Sequence, residues 1–232
     1  MQFDKKAFTL AEVLITLGVI GIVAAMTIPM LMTKYEKIRN VNQLKKIYSE
    51  LSQSFRAASE ENDIYNLGDN WTDTTAVIEA IKPYLKITDV FLPEGNMSKT
   101  MCYNEKLSSQ HSVMKPAQYR WLNGVYISTP FSNNTSSVQL INGACVGFGR
   151  GLSRVVYIDI NGSYNLPNMA GKDLFFFEIT PSGSFVPLGS TYTNERLTSP
   201  SSARSCNKNS SVGAGEPCAA LIIREGWEIS YY

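Results

Sequence analysis

Histidine is nearly missing from this 232-residue chain: His111 is the only one. It has no cysteine or carboxylate cluster beside it in sequence, so it reads as a surface-loop residue rather than a catalytic base. Four cysteines stand at 102, 145, 206 and 218, with no C-x-x-C pair among them. With so little histidine, a zinc site has too few ligands at usable spacing. No long basic block occurs and the formal net charge is +1, so electrostatics make no general case for nucleic acid as a partner. No nucleophile motif and no acid–base constellation can be assigned, and none of this points to an enzyme. The spaced glycines of VGFGRG, residues 146–151, precede no helical pattern. A phosphate cradle is therefore unsupported, and the glycines read as strand breaks or as points of close backbone approach.

Charge is also missing from one long stretch. Residues 13–32 are twenty in a row without any. At about 1.5 Å per residue a helix of that length spans roughly 30 Å, one bilayer core. Just before it stands Glu12, the one acidic residue between Lys6 and Met32. Three readings compete. In a secretory signal, Lys5 and Lys6 form the basic region and Val23-Ala24-Ala25 the cleavage site, releasing a chain that starts at Met26. Glu12 and the apolar run beyond the cut both oppose that reading. In a plain membrane anchor, Glu12 is an unexplained cost of about 2.5–3.5 kcal/mol if it lies deep in lipid. In the third reading the chain is cut between Ala7 and Phe8. Glu12 of one copy then pairs with the new terminal ammonium of a neighbour, which gives the carboxylate the partner that a buried charge needs.

The residues Lys5-Lys6-Ala7-Phe8-Thr9-Leu10-Ala11-Glu12 resemble the cleavage motif of type IV pilins and of the pseudopilins of type II secretion. The similarity extends to Gly18, Gly21 and Pro29, where family helices place helix-loosening residues. It departs at Ala7, where glycine is commoner. The resemblance implies cleavage between Ala7 and Phe8 by a membrane prepilin peptidase, N-methylation of Phe8, and control of subunit docking by Glu12. It implies as partners other pilin or pseudopilin subunits, an inner-membrane assembly platform with its ATPase, and membrane lipid. The implied location is the bacterial inner membrane, single-pass, with the C-terminal domain outside, in a periplasmic or surface filament. Lys34, Lys37 and Arg39 follow the apolar run and outnumber Lys5 and Lys6, so the positive-inside tendency alone points the other way.

Four segments result: a leader over 1–7, an apolar helix half over 8–32, an amphipathic helix half over 33–62, and a globular domain over 63–232. The helix is expected from Thr9 to Ala58, kinked at Pro29. Its second half carries a stripe at Tyr35, Ile38, Val41, Leu44, Tyr48, Leu51, Phe55 and Ala58. A short helix is expected over Thr74–Lys82, ending before Pro83. Beyond it the period changes. Asn123-Gly124 lies between Tyr119–Leu122 and Val125–Ser128; Asn142-Gly143 follows Val138–Ile141; Asn161-Gly162 follows Val155–Ile160. Such Asn-Gly pairs are strong hairpin signals. Pro181-Ser182-Gly183 joins Leu174–Ile179 to Ser184–Leu188, and Ala219–Ile223 and Trp227–Ser230 are read as closing strands. The fold class is α+β: a long helix packed on an antiparallel sheet, as the pilin resemblance implies. Ser/Asn-rich 132–137 and 199–211 read as surface loops. Tyr231 and Tyr232 read as packing or rim aromatics.

An even cysteine count downstream of an export-like segment reads as two disulfides. Three pairings can be drawn. Cys206–Cys218 is favoured, because a short Asn/Ser/Gly loop closes easily between them, and Cys102–Cys145 follows by elimination. No cofactor is required. Since some major pseudopilins bind calcium near the C-terminus, Asp159, Asn161 and Asp173 are carried as oxygen donors for that ion. Their spacing does not fit an EF-hand, and the same residues also read as a turn with a carboxylate capping a nearby amide. The rival to a filament subunit is an extracytoplasmic binding domain behind a plain signal or anchor.

Overall fold

The computed structural model describes residues 9–64, 74–92, 102, 119–127, 131, 136–149 and 154–232. It divides into two units, Met1–Arg39 and Asn40–Tyr232. One helix, α1 (Leu10–Glu61, 52 residues), contributes to both.

In the first unit α1 is apolar all round. Every residue from Leu10 to Met32 except Ala24 is exposed. The segment is long and apolar enough to cross a membrane. The helix is unbroken across Pro29, although proline removes the amide that would bond the Ala25 carbonyl. Thr27 and Thr33 send hydroxyl protons back to the carbonyls of Val23 and Pro29, at 2.9 and 3.0 Å.

In the second unit the same helix becomes a core element. Val41, Leu44, Ile47, Leu51, Phe55 and Ala58 are buried, at steps of three and four that hold one face toward the sheet. The stripe expected from the sequence is therefore corrected at its start. Tyr35 and Ile38 are 62% and 53% exposed, and packing begins only at Asn40 and Val41. Periodicity alone cannot say where along a helix a domain begins to cover it.

The short helix α2 (Thr75–Ile81) passes into a single 3-10 turn over Lys82–Tyr84 that contains Pro83. The Ser54 hydroxyl holds that turn to α1 through the Tyr84 carbonyl at 3.0 Å. Six strands follow: β1 (Ile87–Phe91), β2 (Ser136–Leu140), β3 (Cys145–Phe148), β4 (Val155–Asp159), β5 (Leu174–Ile179) and β6 (Phe185–Pro187). Each pairs antiparallel with the next, so the sheet is a six-stranded meander in chain order. This is the α+β, pilin-like arrangement that the sequence predicts.

Both faces of the sheet are covered. Val138, Val146, Val156, Ile158, Phe175 and Phe177 join the α1 stripe. Cys145, Leu174 and Phe176 point to the other side, where they meet Cys102, Tyr119, Ile127 and Phe131. That explains why Leu-Phe-Phe-Phe in β5 lacks the alternation of a half-solvated strand. Phe177 and Phe185 stack at 4.9 Å between centroids, and Phe55 stacks on Phe185 at 5.0 Å, so α1 and the β5–β6 hairpin share one aromatic contact.

Several expectations fail locally. Ala219–Ile223 is not a strand but part of α4 (Cys218–Arg224), which follows the short α3 (Asn194–Thr198). A brief apolar run does not distinguish strand from buried helix, and its two alanines favour the helix. Trp227–Ser230 forms no strand either: Gly226 and Trp227 take positive φ, and the Trp227 amide bonds the Ile222 carbonyl at 2.8 Å. The Asn123-Gly124 hairpin shrinks to one antiparallel bridge, Arg120 to Tyr126, and Arg120 also bridges Met169 on its other side. Ser136 and Ser137, read as loop, are buried in β2, where Ser136 accepts from the Thr74 hydroxyl at 2.5 Å. Strand β1 lies between the expected short helix and the first Asn-Gly signal, where the sequence pattern predicts no strand.

Candidate functional site

The N-terminal site is built around Glu12. Thr9 lies just outside α1, and its backbone amide donates to Glu12 Oε2 at 2.8 Å. Its hydroxyl donates to the same oxygen at 2.7 Å, while the Glu12 amide reaches Thr9 Oγ1 at 3.2 Å. This is a reciprocal capping box: each residue satisfies an amide of the other that the helix start leaves unpaired. Its signal, Thr-x-x-Glu ahead of an apolar run, is present in the sequence, and it gives Glu12 a partner from its own chain rather than from another copy. Within one chain, then, Glu12 already has hydrogen-bond donors. A charged carboxylate at a helix N-terminus also meets the positive end of the helix dipole.

Gly18 and Gly21 face open space, with nothing within 4 Å of where a Cβ would lie. Together with Pro29 they fall on the exposed apolar segment. Ala7, Phe8 and His111 lie outside the described residues.

The disulfides pair Cys102 with Cys145 and Cys206 with Cys218, at Cα separations of 5.4 and 4.8 Å. The first fastens residue 102 to β3. The second fastens the Ser/Asn-rich loop to the first residue of α4. That loop is only partly surface: Ser205 and Ser210 are buried, and Asn123 Nδ2 donates to the Ser210 carbonyl at 3.0 Å.

Asp159, Asn161 and Asp173 come together where β4 gives way to the long connection into β5. Asp159 Oδ1 accepts from the amides of Asn161 and Gly162 at 3.2 and 2.9 Å, and Oδ2 from the Tyr119 hydroxyl at 2.5 Å. Asp173 Oδ1 accepts from the Met169 amide at 2.6 Å and Oδ2 from the Asn168 amide at 2.8 Å. Asn161 Nδ2 lies 3.4 Å from Asp173 Oδ2. Calcium takes six to eight oxygens. Here all four carboxylate oxygens already face N–H or O–H donors, and among the described residues no third carboxylate, histidine or cysteine completes a cluster. The three residues fit a hydrogen-bonded turn better than a cation cage. Burial dominates their electrostatics: it pushes Asp159 up to about 8, aided by the charge of Asp173 and opposed by the Tyr119 and amide hydrogen bonds. Asp173 rises to about 6 for the same first reason, and Tyr119 lies well above its ordinary value.

Gly149 shows the close approach expected of the VGFGRG stretch. A Cβ there would lie 3.0 Å from the Tyr157 hydroxyl and 3.1 Å from the Val155 carbonyl.

Comparison with curated proteins and with solved structures returns no match. A family model for the prokaryotic N-terminal methylation motif matches residues 3–28. That match spans the capping box, both exposed glycines and most of the apolar run. The chain thus carries a prepilin-type N-terminal methylation signature, of the kind found in type IV pilins and pseudopilins.

Proposed function

We propose that this chain is a filament subunit, a pilin or pseudopilin of a type IV pilus or a type II secretion-type filament. In this reading it is cut between Ala7 and Phe8, N-methylated on Phe8, held in the inner membrane by residues 8–32, and drawn into the filament by an assembly platform with its ATPase. One observation carries the reading: the single carboxylate at the head of an exposed apolar helix, inside a matched methylation motif. The capping box adds a mechanism. Thr9 satisfies Glu12 within the isolated subunit, which lowers the cost of carrying a carboxylate beside the bilayer. On assembly the methylated ammonium of a neighbour adds an opposite charge to a group that is already positioned. The sheet domain then faces outward.

Masses of N-terminal peptides from a membrane fraction test processing. A peptide that starts at Phe8 with one added methyl supports the filament reading, whereas a chain that starts at Met26 removes Glu12 and leaves a released binding domain. Glu12→Ala should block assembly and spare membrane insertion. A plain anchor would tolerate the change or insert better.

A further inference from the structure

One end of the second unit is defined by a chain of contacts. Asn40 Nδ2 donates to the Lys172 carbonyl at 3.2 Å, which places the β4–β5 connection beside the first residue of the unit. In the same connection the Ile160 amide bonds the Asp173 carbonyl at 2.9 Å. The Asn161-Gly162 turn abuts the β2–β3 turn so closely that a Cβ on Gly162 would lie 2.7 Å from the Gly143 carbonyl oxygen. Residues 164–166 fold back on it: the Asn165 side chain donates to the Asn161 carbonyl at 2.6 Å, and Asn161 Nδ2 lies 3.4 Å from the Leu166 carbonyl.

These two adjoining turns present three large apolar side chains to solvent. Ile141 is 69% exposed, Tyr164 55% and Leu166 56%. Loop tips are ordinarily polar, and here the polar residues of the loops, Asn161 and Asn165, are spent on holding the backbone. Seven residues, eight Cα-to-Cα steps, separate Met32, the end of the apolar run, from Asn40. Even a fully extended chain of that length reaches only about 28 Å, so this end cannot lie far from whatever surface the run enters. The connecting residues are themselves interfacial in type: exposed Tyr35 and Ile38, with Lys34, Lys37 and Arg39. The C-terminal tail reaches the same end, where the Tyr231 hydroxyl donates to the Gly171 carbonyl and Lys172 lies over the Tyr232 ring at 4.9 Å. That tail also carries Glu225 and Glu228, so the face is not a basic patch.

We infer that the end of the domain formed by Ile141, Tyr164 and Leu166 rests on the lipid surface in the unassembled subunit, with these side chains in the headgroup region. Apolar insertion drives the contact, and charge does not. This inference rests on the reading that residues 8–32 enter a bilayer. The proteinaceous alternative, a second copy on the same face, is an outcome of the test.

The full chain is reconstituted in phosphatidylcholine vesicles, with and without phosphatidylglycerol. Single nitroxide labels are placed through Ile141→Cys, Tyr164→Cys or Leu166→Cys, the native cysteines being paired. Ser182→Cys, in the β5–β6 turn that packs beside Ser59, reports the other end, and Ile20→Cys reports the bilayer. The expected result is oxygen access with exclusion of a water-soluble nickel chelate at 141, 164 and 166, the ratio exceeding that at 182 several-fold in both lipids. Labels at these three sites that match 182, while 20 reports the bilayer, would overturn the docking and leave the membrane reading intact. A water-accessible label at 20 overturns both. Protection accompanied by dipolar broadening that grows with protein-to-lipid ratio overturns lipid docking in favour of a second copy.

Discussion

The two parts of α1 are one helix under two solvents. Before Asn40 the helix buries almost nothing, although its residues are Leu, Ile, Val and Met. After it, a narrower stripe of similar residues is completely covered. The first part is hydrophobic all round and the second on one side, which is the difference between a segment made for an apolar medium and one made for a protein core. An exposed apolar helix without a sheet against it is a request for lipid or for other copies, while the covered half is already satisfied.

The sharpest way to break this comparison is to truncate one residue from each part. Phe55→Ala should lower domain stability by about 3–5 kcal/mol, because it removes a ring with no exposed surface from the Phe185 stack and leaves a cavity. Ile20→Ala should leave the domain's urea midpoint in detergent unchanged. Equal losses would show that the two parts do not differ in kind.

The disulfides belong wholly to the covered part, and their loops rank their effects. Cys102 and Cys145 enclose a separation of 43 residues, Cys206 and Cys218 one of 12. Loop-closure entropy gives about 4 and about 3 kcal/mol for replacing each pair by serine. Denaturation of each double variant checks both the size and the order, and neither change should alter membrane insertion.

A third effect is pH dependence. Asp159 and Asp173 hold their protons more tightly in the folded domain, at about 8 and about 6 against an ordinary 3.8. A raised carboxyl contributes its full stability below about pH 4 and loses it as pH rises through the folded value. Urea unfolding should therefore become easier between pH 4 and pH 8. Asp159→Asn keeps an oxygen for the amides and should flatten that slope; an unchanged slope would locate the titration elsewhere.

The smallest effect belongs to the exposed part. Thr9→Ala removes the cap and should cost about 1 kcal/mol at the helix start. It should appear as roughly fivefold faster amide exchange at Glu12 in micelles, with Thr9→Ser restoring protection and the domain unaffected.

Much of this was legible from residue order. The apolar run, the helix over most of its length, the Val138–Leu140 part of β2, β4, the β5–β6 hairpin and the even cysteine count all follow from local pattern. What failed, failed for lack of a partner. Ala219–Ile223 has the composition of a buried segment in either form; its two alanines lean toward a helix, and that helix packs among Leu122, Leu197 and Ala214. Ser136 looks like loop until the Thr74 hydroxyl meets its own, and Ser137 until the strands on either side pair its backbone. Tyr35 and Ile38 match the core stripe in period, yet nothing in period says where the covering domain starts.

By itself, then, the amino-acid order determined everything that depends on neighbours a few residues apart: the prepilin motif, the Thr9–Glu12 cap, the length of the apolar helix and the Asn-Gly turns. Tertiary structure alone decided which apolar residues are core and which are left exposed, and how Asp159, Tyr119 and Asp173 share one dry site across 54 residues of chain. Hydrogen bonds inside a helix turn are set by spacing along the chain, whereas burial is set by whatever distant segment happens to fold over a residue.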